Sequence, residues 1–448
     1  MARKCAILVL GVAAANATIA AGPSDPASHR TLFVRQTVGD DAQDGLTPET
    51  AWKTLEKLET ELRAGDTAYV GPGLYRERLE IPESGTETRT VNLVADPTGR
   101  RTGDPPGPVM IAGADPVDES IFRAGPDRGV YTAPSPDASV LGVVEMDGPQ
   151  FRYQNVLETR EVLREGAQPL EVVATMPSSF WFDRDSDLVY LHTSDGKSPS
   201  TRELEFIRRD YGIVAYGKRY VSIVGFTFRH MWIAGVNFES GACNGFVVDN
   251  VSYGSWQGIR VAGSAEVLID GNTSFRNGNS GVYFLQKAAH NRAVGNVVYE
   301  NAQGLRWSSE SSHGLAAENV VFANLDTGIS LENVDETVLS GNHLARNAVS
   351  HLLTKKSRFV SRGNCFHKRN AGRWVARIEY FNDYETLAEY QTTTHQDPGA
   401  TEHCGRLPRK IDVRRLHRST MKYPERARKI LEKRARRASE KRSRESEE

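Results

Sequence analysis

Two residues downstream of a series of evenly spaced glycines stand Asn237, Arg260, Tyr283, Arg306 and Ser330. Lys287 and Glu310 follow their glycines by six residues, and His290 and His313 follow theirs by nine. Gathered on one surface, these types suit removal of a proton alpha to a carboxylate. An arginine neutralises the carboxylate, Lys287, His290 or His313 takes the proton, and Tyr283 protonates the departing oxygen. That reaction is β-elimination on a uronic-acid polymer, and the same groups support epimerisation at the same carbon. Arg260 and Arg306, with Tyr283 between them and Asn237 alongside, also suit binding of an anionic polysaccharide.

Each residue has a plainer reading. Lys287 beside Glu310 fits a surface ion pair worth about 0–1 kcal/mol, and the histidines fit polar corner positions. Arginines also keep the outside of a solenoid polar. A glycosidase needs two carboxyl groups, about 5–5.5 Å apart for retention or about 6.5–9.5 Å for inversion. Glu310 and Glu332, in successive periods, are the pair available for it. A non-catalytic glycan-binding protein would carry the same arginines and aromatics without a working acid and base.

The elements that must position these residues follow from the repeat. Gly212, Gly235, Gly258, Gly281, Gly304 and Gly328 are spaced by 23, 23, 23, 23 and 24 residues. Out of phase with them run Asn250, Asn272, Asn296, Asn319, Asn342 and Asn364. A period near 23 is too short for a helical pair and lacks a leucine ladder, but it holds three short strands. Alternation after each glycine puts Ile259 and Val261, Val282 and Phe284, Leu305 and Trp307, and Ile329 and Leu331 on one inward face. Arg260, Tyr283, Arg306, Ser330 and Asn237 then point outward. Eight to ten stacked turns fit the chain, with right-handed crossovers between parallel strands. Arg260 and Arg306 are two turns apart, or about 9.6 Å. The recurring asparagines are expected at tight corners, tolerating left-handed backbone angles and hydrogen-bonding from turn to turn.

With this repeat in view, the sequence resembles the right-handed parallel β-helix proteins of the pectate-lyase-like superfamily. The stretch "GDDAQDGLTPETAWKTLEKLETELRAGDTAYVGPGLYRERL" is similar to that family's entry module with a capping helix. The stretches "SSFWFDRDSDLVYLHTSDG" and "VSIVGFTFRH" resemble members with a β insertion before the main coils. "FNDYETLAEYQTTTHQDPGA" resembles the closing exit segment. The resemblance implies an all-β three-sheet solenoid and covers most of residues 31–405. It fixes no reaction, since one superfamily holds lyases, hydrolases, epimerases and non-catalytic proteins.

Helical spacing of Trp52, Leu55, Leu58, Glu59 and Leu62 supplies a stripe to cover the first turn, and Arg373 to Tyr390 is expected to cover the last. The expected division is a signal peptide at 1–21, an N-terminal cap and first coils at 30–112, and a β insertion with irregular coils at 113–205. Regular coils at 206–370, a C-terminal cap at 371–405 and a basic tail at 406–448 follow. The signal reading rests on Arg3 and Lys4 before an apolar run from Cys5 to Ala15 that ends in small residues. It places the mature protein outside the cytoplasm, secreted or periplasmic, which argues against nucleic acid as a partner.

Among 448 residues, 39% are hydrophobic and 25% charged, as in a soluble globular chain. No internal stretch approaches the roughly 18 apolar residues of a membrane span. The tail carries 17 Lys plus Arg against 7 Asp plus Glu, so the rest is acidic although the net charge is −1. Once Cys5 leaves with the signal, Cys365 and Cys404 are the better disulfide pair, Cys243 reads as a buried thiol, and the spacing fits no zinc site. Asp40, Asp41 and Asp44 offer oxygen ligands for Ca²⁺, and equally the local hydrogen bonds of a turn. The chain is expected to act as a monomer.

Overall fold

Each period of about 23 residues folds as one turn of three short strands, as in Gln257–Ala262, Leu268–Asp270 and Thr273–Phe275. A computed structural model of the chain describes residues 29–135, 140–146, 152–367, 374–379 and 382–404. The expected signal peptide at 1–21 and basic tail at 406–448 lie outside them. Equivalent strands pair in parallel with those of the next turn and build three long sheets. Sheet I has ten strands from Thr31–Val34 to Phe359–Arg362, and sheet II has nine from Gly73–Tyr75 to Cys365–His367. Sheet III has ten, from Leu79–Glu80 to an antiparallel closing pair, Trp374–Ile378 with Asn382–Tyr384.

The inward face is the one read from the alternation. Ile259, Val261, Val282, Phe284, Leu305, Trp307, Ile329 and Leu331 are all buried and belong to one core running from Leu32 to Tyr390. Burial of each large side chain stabilises the fold by about 1.5–3 kcal/mol. The Phe284 and Trp307 rings stack at 4.5 Å across one rung. Gly258 shows why glycine recurs, because a Cβ there would lie 2.5 Å from the carbonyl oxygen of Gly281 in the next turn.

Asparagines tie the turns together as expected. The Asn272 backbone N–H and side-chain amide both donate to Asn296 Oδ1, at 2.9 and 3.0 Å, and the pattern repeats from Asn250 to Asn364. The ladder ends on the buried carboxylate of Asp397, whose protonated form burial favours. The left-handed angle, however, belongs to the residue before each asparagine: Asp249, Gly271, Gly295, Glu318, Gly341 and Gly363. The asparagine is left free to aim its amide down the stack. A second ladder of Asn277, Asn301, Asn324 and Asn347 runs at another corner.

Near the first turn, helix Leu55–Glu61 starts at the N-cap Thr54 and buries Leu55 and Leu58. Its Glu59 carboxylate accepts the Glu80 backbone N–H at 2.8 Å, satisfying a donor of the first sheet III strand. At the far end, helix Leu387–Thr394 buries Leu387 and Tyr390, and a Cys365–Cys404 disulfide ties the exit segment to sheet II. Cys243 is a buried thiol. Between Ala112 and Tyr211 the chain leaves the coil to form a three-stranded and a five-stranded sheet with a core of its own. No helix among the described residues is long and apolar enough to cross a membrane.

Candidate functional site

Parallel register in sheet III aligns side chains of successive turns, and its outward face carries the residues singled out by the glycine spacing. Val214, Asn237, Arg260, Tyr283, Arg306, Ser330 and Leu353 form one continuous row. Two residues further along each strand a second outward row includes Glu239 and Glu332. The two rows interlock twice. At the first place, Arg260 Nη1 donates to Asn237 Oδ1 at 2.9 Å and pairs with Glu239 at 2.5 Å, while the Asn237 amide donates to Glu239 at 3.0 Å. At the second, Arg306 pairs with Glu332 at 3.0 Å, and the Ser330 hydroxyl donates to the same carboxylate at 3.0 Å.

Tyr283 lies between these two clusters. Its phenol is 2.8 Å from the Ser308 hydroxyl, and the Arg306 guanidinium stands 4.8 Å from its ring centroid. Cation–π contact and two ion pairs thus fix the guanidiniums without exhausting their five N–H donors each. The face is a largely buried polar strip of two arginines, two carboxylates, an amide and a phenol, with Asn237 fully buried and Arg260 and Tyr283 each 9% exposed, and with backbones about 4.8 Å apart per rung.

The other sequence candidates stand elsewhere. Lys287 and Glu310 lie past the ends of their sheet III strands, in left-handed backbone positions. They form an exposed ion pair at 3.3 Å, with 73% and 62% of their side-chain surfaces accessible. His290 and His313 sit in left-handed positions at the next corner, their rings stacked at 4.6 Å, and His313 Nε2 is 2.7 Å from Glu336. The structure therefore brings together Asn237, Arg260, Tyr283, Arg306 and Glu332 on the sheet, lines up Lys287 and Glu310 along its rim, and sets His290 and His313 at the corner before sheet I. Glu310 pairs with Lys287 and Glu332 with Arg306, while the Glu310 backbone N–H donates to the carbonyl of Asn333 in the next turn at 2.8 Å.

Sequence reasoning missed Glu239. Its signal was available, since it follows Gly235 by four residues just as Glu332 follows Gly328. As for calcium, the entry-loop acids are spent on turn hydrogen bonds. Asp40 accepts from Ala42 N–H, Asp41 from Lys53 and Thr54, and Asp44 from Leu46 and Thr50. Among the described residues no three His, Cys, Asp or Glu side chains gather to hold a metal.

Comparison with known proteins agrees with this architecture. A family model described as periplasmic copper-binding protein NosD matches residues 181–320. The structure of XylC in complex with xylose superposes with a TM-score of 0.56 at 14% identity, covering 78% of this chain and 66% of that one. The chain thus spans just under two thirds of that relative's length. A glycoside hydrolase superposes with a TM-score of 0.53 at 10% identity, covering 88% of this chain and 98% of that one. A pectate lyase gives 0.45 at 11% identity over 79% of this chain and 74% of that one. The chain is a parallel β-helix. No curated protein matches its sequence.

Proposed function

We propose that this β-helix is an exported enzyme that cleaves a uronic-acid-containing polysaccharide by β-elimination along the outward face of sheet III. The observation that carries the reading is the single register row Asn237, Arg260, Tyr283, Arg306 and Ser330, with a carboxylate set against each arginine. A guanidinium held by one carboxylate keeps further N–H donors for the carboxylate of a bound uronate. Neutralising that charge acidifies the adjacent C–H.

In this reading a base takes the proton alpha to the carboxylate. The C–H electron pair becomes a carbon–carbon double bond, the bond to the glycosidic oxygen breaks, and Tyr283 gives that oxygen its proton. The base comes from the rim. Lys287 is held by an exposed ion pair, which costs about 0–1 kcal/mol to open, and His290 and His313 are the further candidates. Returning the proton to the opposite face of the same carbon would give epimerisation instead. Export is supported by the basic-apolar N-terminal sequence, by the disulfide, which persists in oxidising compartments, and by the periplasmic description of the matching family model.

The test is incubation with a panel of uronic-acid polymers, following the ultraviolet absorbance of unsaturated uronyl ends. Absorbance is expected with the wild type and is expected to fall in Arg306→Ala, Lys287→Ala and His313→Ala. Undiminished activity in all three overturns the site. New reducing ends without absorbance point to hydrolysis, and binding without either points to a non-catalytic glycan-binding protein.

A further inference from the structure

Trp256 is 42% exposed, directly before the strand Gln257–Ala262 that carries Arg260. An indole left open to water sacrifices much of the burial it could contribute, yet this one is held in place on three sides. Its carbonyl accepts the Asn279 N–H at 2.7 Å, and the adjacent Ser255 carbonyl accepts the Gly278 N–H at 2.8 Å. Gly278 stands against the ring, since a Cβ there would lie 3.0 and 3.3 Å from two carbons of the six-membered ring. Any larger residue at 278 would make the indole give by a few tenths of an ångström.

The third side comes from the insertion. Arg152 places its guanidinium 4.2 Å from the Trp232 ring centroid and 5.9 Å from that of Trp256, and donates to the Trp232 carbonyl at 3.3 Å. Burial lowers its pKa to about 10, so it is still charged at neutral pH. Arg152 therefore sits closest over Trp232, the tryptophan of the preceding turn, and leaves the Trp256 ring accessible at the edge of the sheet III face.

We infer that Trp256 is a sugar-stacking platform at the insertion side of the polar strip. A pyranose ring lays its C–H face on the indole, directly before the strand that carries Arg260. The class of ligand is a β-helix-bound oligosaccharide. That its rings are uronic acids rests on the function proposed above, whereas the stacking does not.

The experiment is calorimetric and fluorescence titration of the full chain with oligogalacturonate, oligomannuronate and the neutral cello-oligosaccharide. Wild type, Trp256→Ala, Trp256→Phe and Arg260→Ala are compared, with melting temperatures recorded. The expected result is at least a tenfold loss of affinity in Trp256→Ala, most of it restored in Trp256→Phe, an unchanged melting temperature and loss of the ligand-induced fluorescence change. Neutral sugars bound through Trp256 while uronates are refused would support the platform and overturn the polyanion reading. Equal affinity of Trp256→Ala and wild type for a bound oligosaccharide, or no binding by any of the three probes, overturns the platform.

Discussion

Arg306 and Glu332 meet at 3.0 Å across consecutive turns, with the Ser330 hydroxyl on the same carboxylate and the Tyr283 ring beside the guanidinium. This cluster positions a cation on an outward face without handing the whole of it to a protein carboxylate. Replacing Arg306 by Ala is expected to cut kcat/KM on a uronate polymer at least about a hundredfold, roughly 2.7 kcal/mol of transition-state stabilisation. Arg306→Lys should recover little, because a single ammonium cannot reproduce the planar fork. Steady-state kinetics on the two variants, with melting curves as a control for folding, decide it.

Lys287 and Glu310 offer the opposite case. Both are highly exposed, so Lys287→Ala should change the urea unfolding free energy by less than about 1 kcal/mol. If Lys287 is the base, the same variant loses most of kcat while substrate affinity holds. A variant with full kcat would leave Lys287 as a surface ion pair and pass the role to the histidine corner.

Asn296 is the middle of the longer ladder. Its side chain accepts two hydrogen bonds from Asn272 and donates to the Ile269 carbonyl at 2.9 Å and to Asn319. Asn296→Ala leaves several buried polar groups without partners, each costing about 1–3 kcal/mol. The expected result is a loss of roughly 3 kcal/mol or more in denaturant unfolding, well beyond what Lys287→Ala does. An exposed polar position would show no such cost.

These contrasts separate what the order of residue types encodes from what it leaves open. The inward set is legible in the sequence because alternation with period two leaves no other face for Trp307 once Leu305 is buried. The outward row is legible for the same reason, and its register follows from the glycine spacing. Which outward groups touch is not. Arg260 reaches a carboxylate two residues further along the neighbouring strand, and that depends on rotamers, which spacing does not encode. The corner residues Lys287 and His290 can be counted but not aimed, because left-handed backbone positions turn the chain between the sheets. Arg152 is out of reach altogether, since it arrives from an insertion more than a hundred residues before the strand it flanks. The left-handed angle falls one residue ahead of the asparagine to which spacing assigns it, because either neighbour at such a corner can absorb a positive φ.

The Cys365–Cys404 disulfide closes a loop with a sequence separation of 39 around the terminal helix. Constraining a loop of that length in the unfolded chain is worth about 4 kcal/mol by chain entropy. Cys404→Ser is expected to lower the melting temperature and to expose the last turn first, read as faster amide exchange in Phe359–Arg362 and Cys365–His367 than in the central strands. A uniform change across all turns would contradict a local role for the bond.

His351 follows Gly328 by 23 residues and so takes the glycine position of the next turn. It is fully buried, with Nδ1 3.2 Å from the Asn347 amide. Burial lowers its pKa from 6.5 to about 4, against a hydrogen bond with the His367 backbone that acts to raise it. The unfolded chain therefore binds a proton between those two values that the folded chain refuses. Stability from this group is present above pH 6.5 and is lost as the pH falls toward 4, to an extent of up to about 3 kcal/mol. Denaturant unfolding followed across that window should show the wild type weakening on acidification. His351→Gln, which keeps a polar partner for Asn347 but cannot titrate, should show a flatter profile. Parallel slopes for the two proteins would mean that the buried imidazole is not the group that titrates.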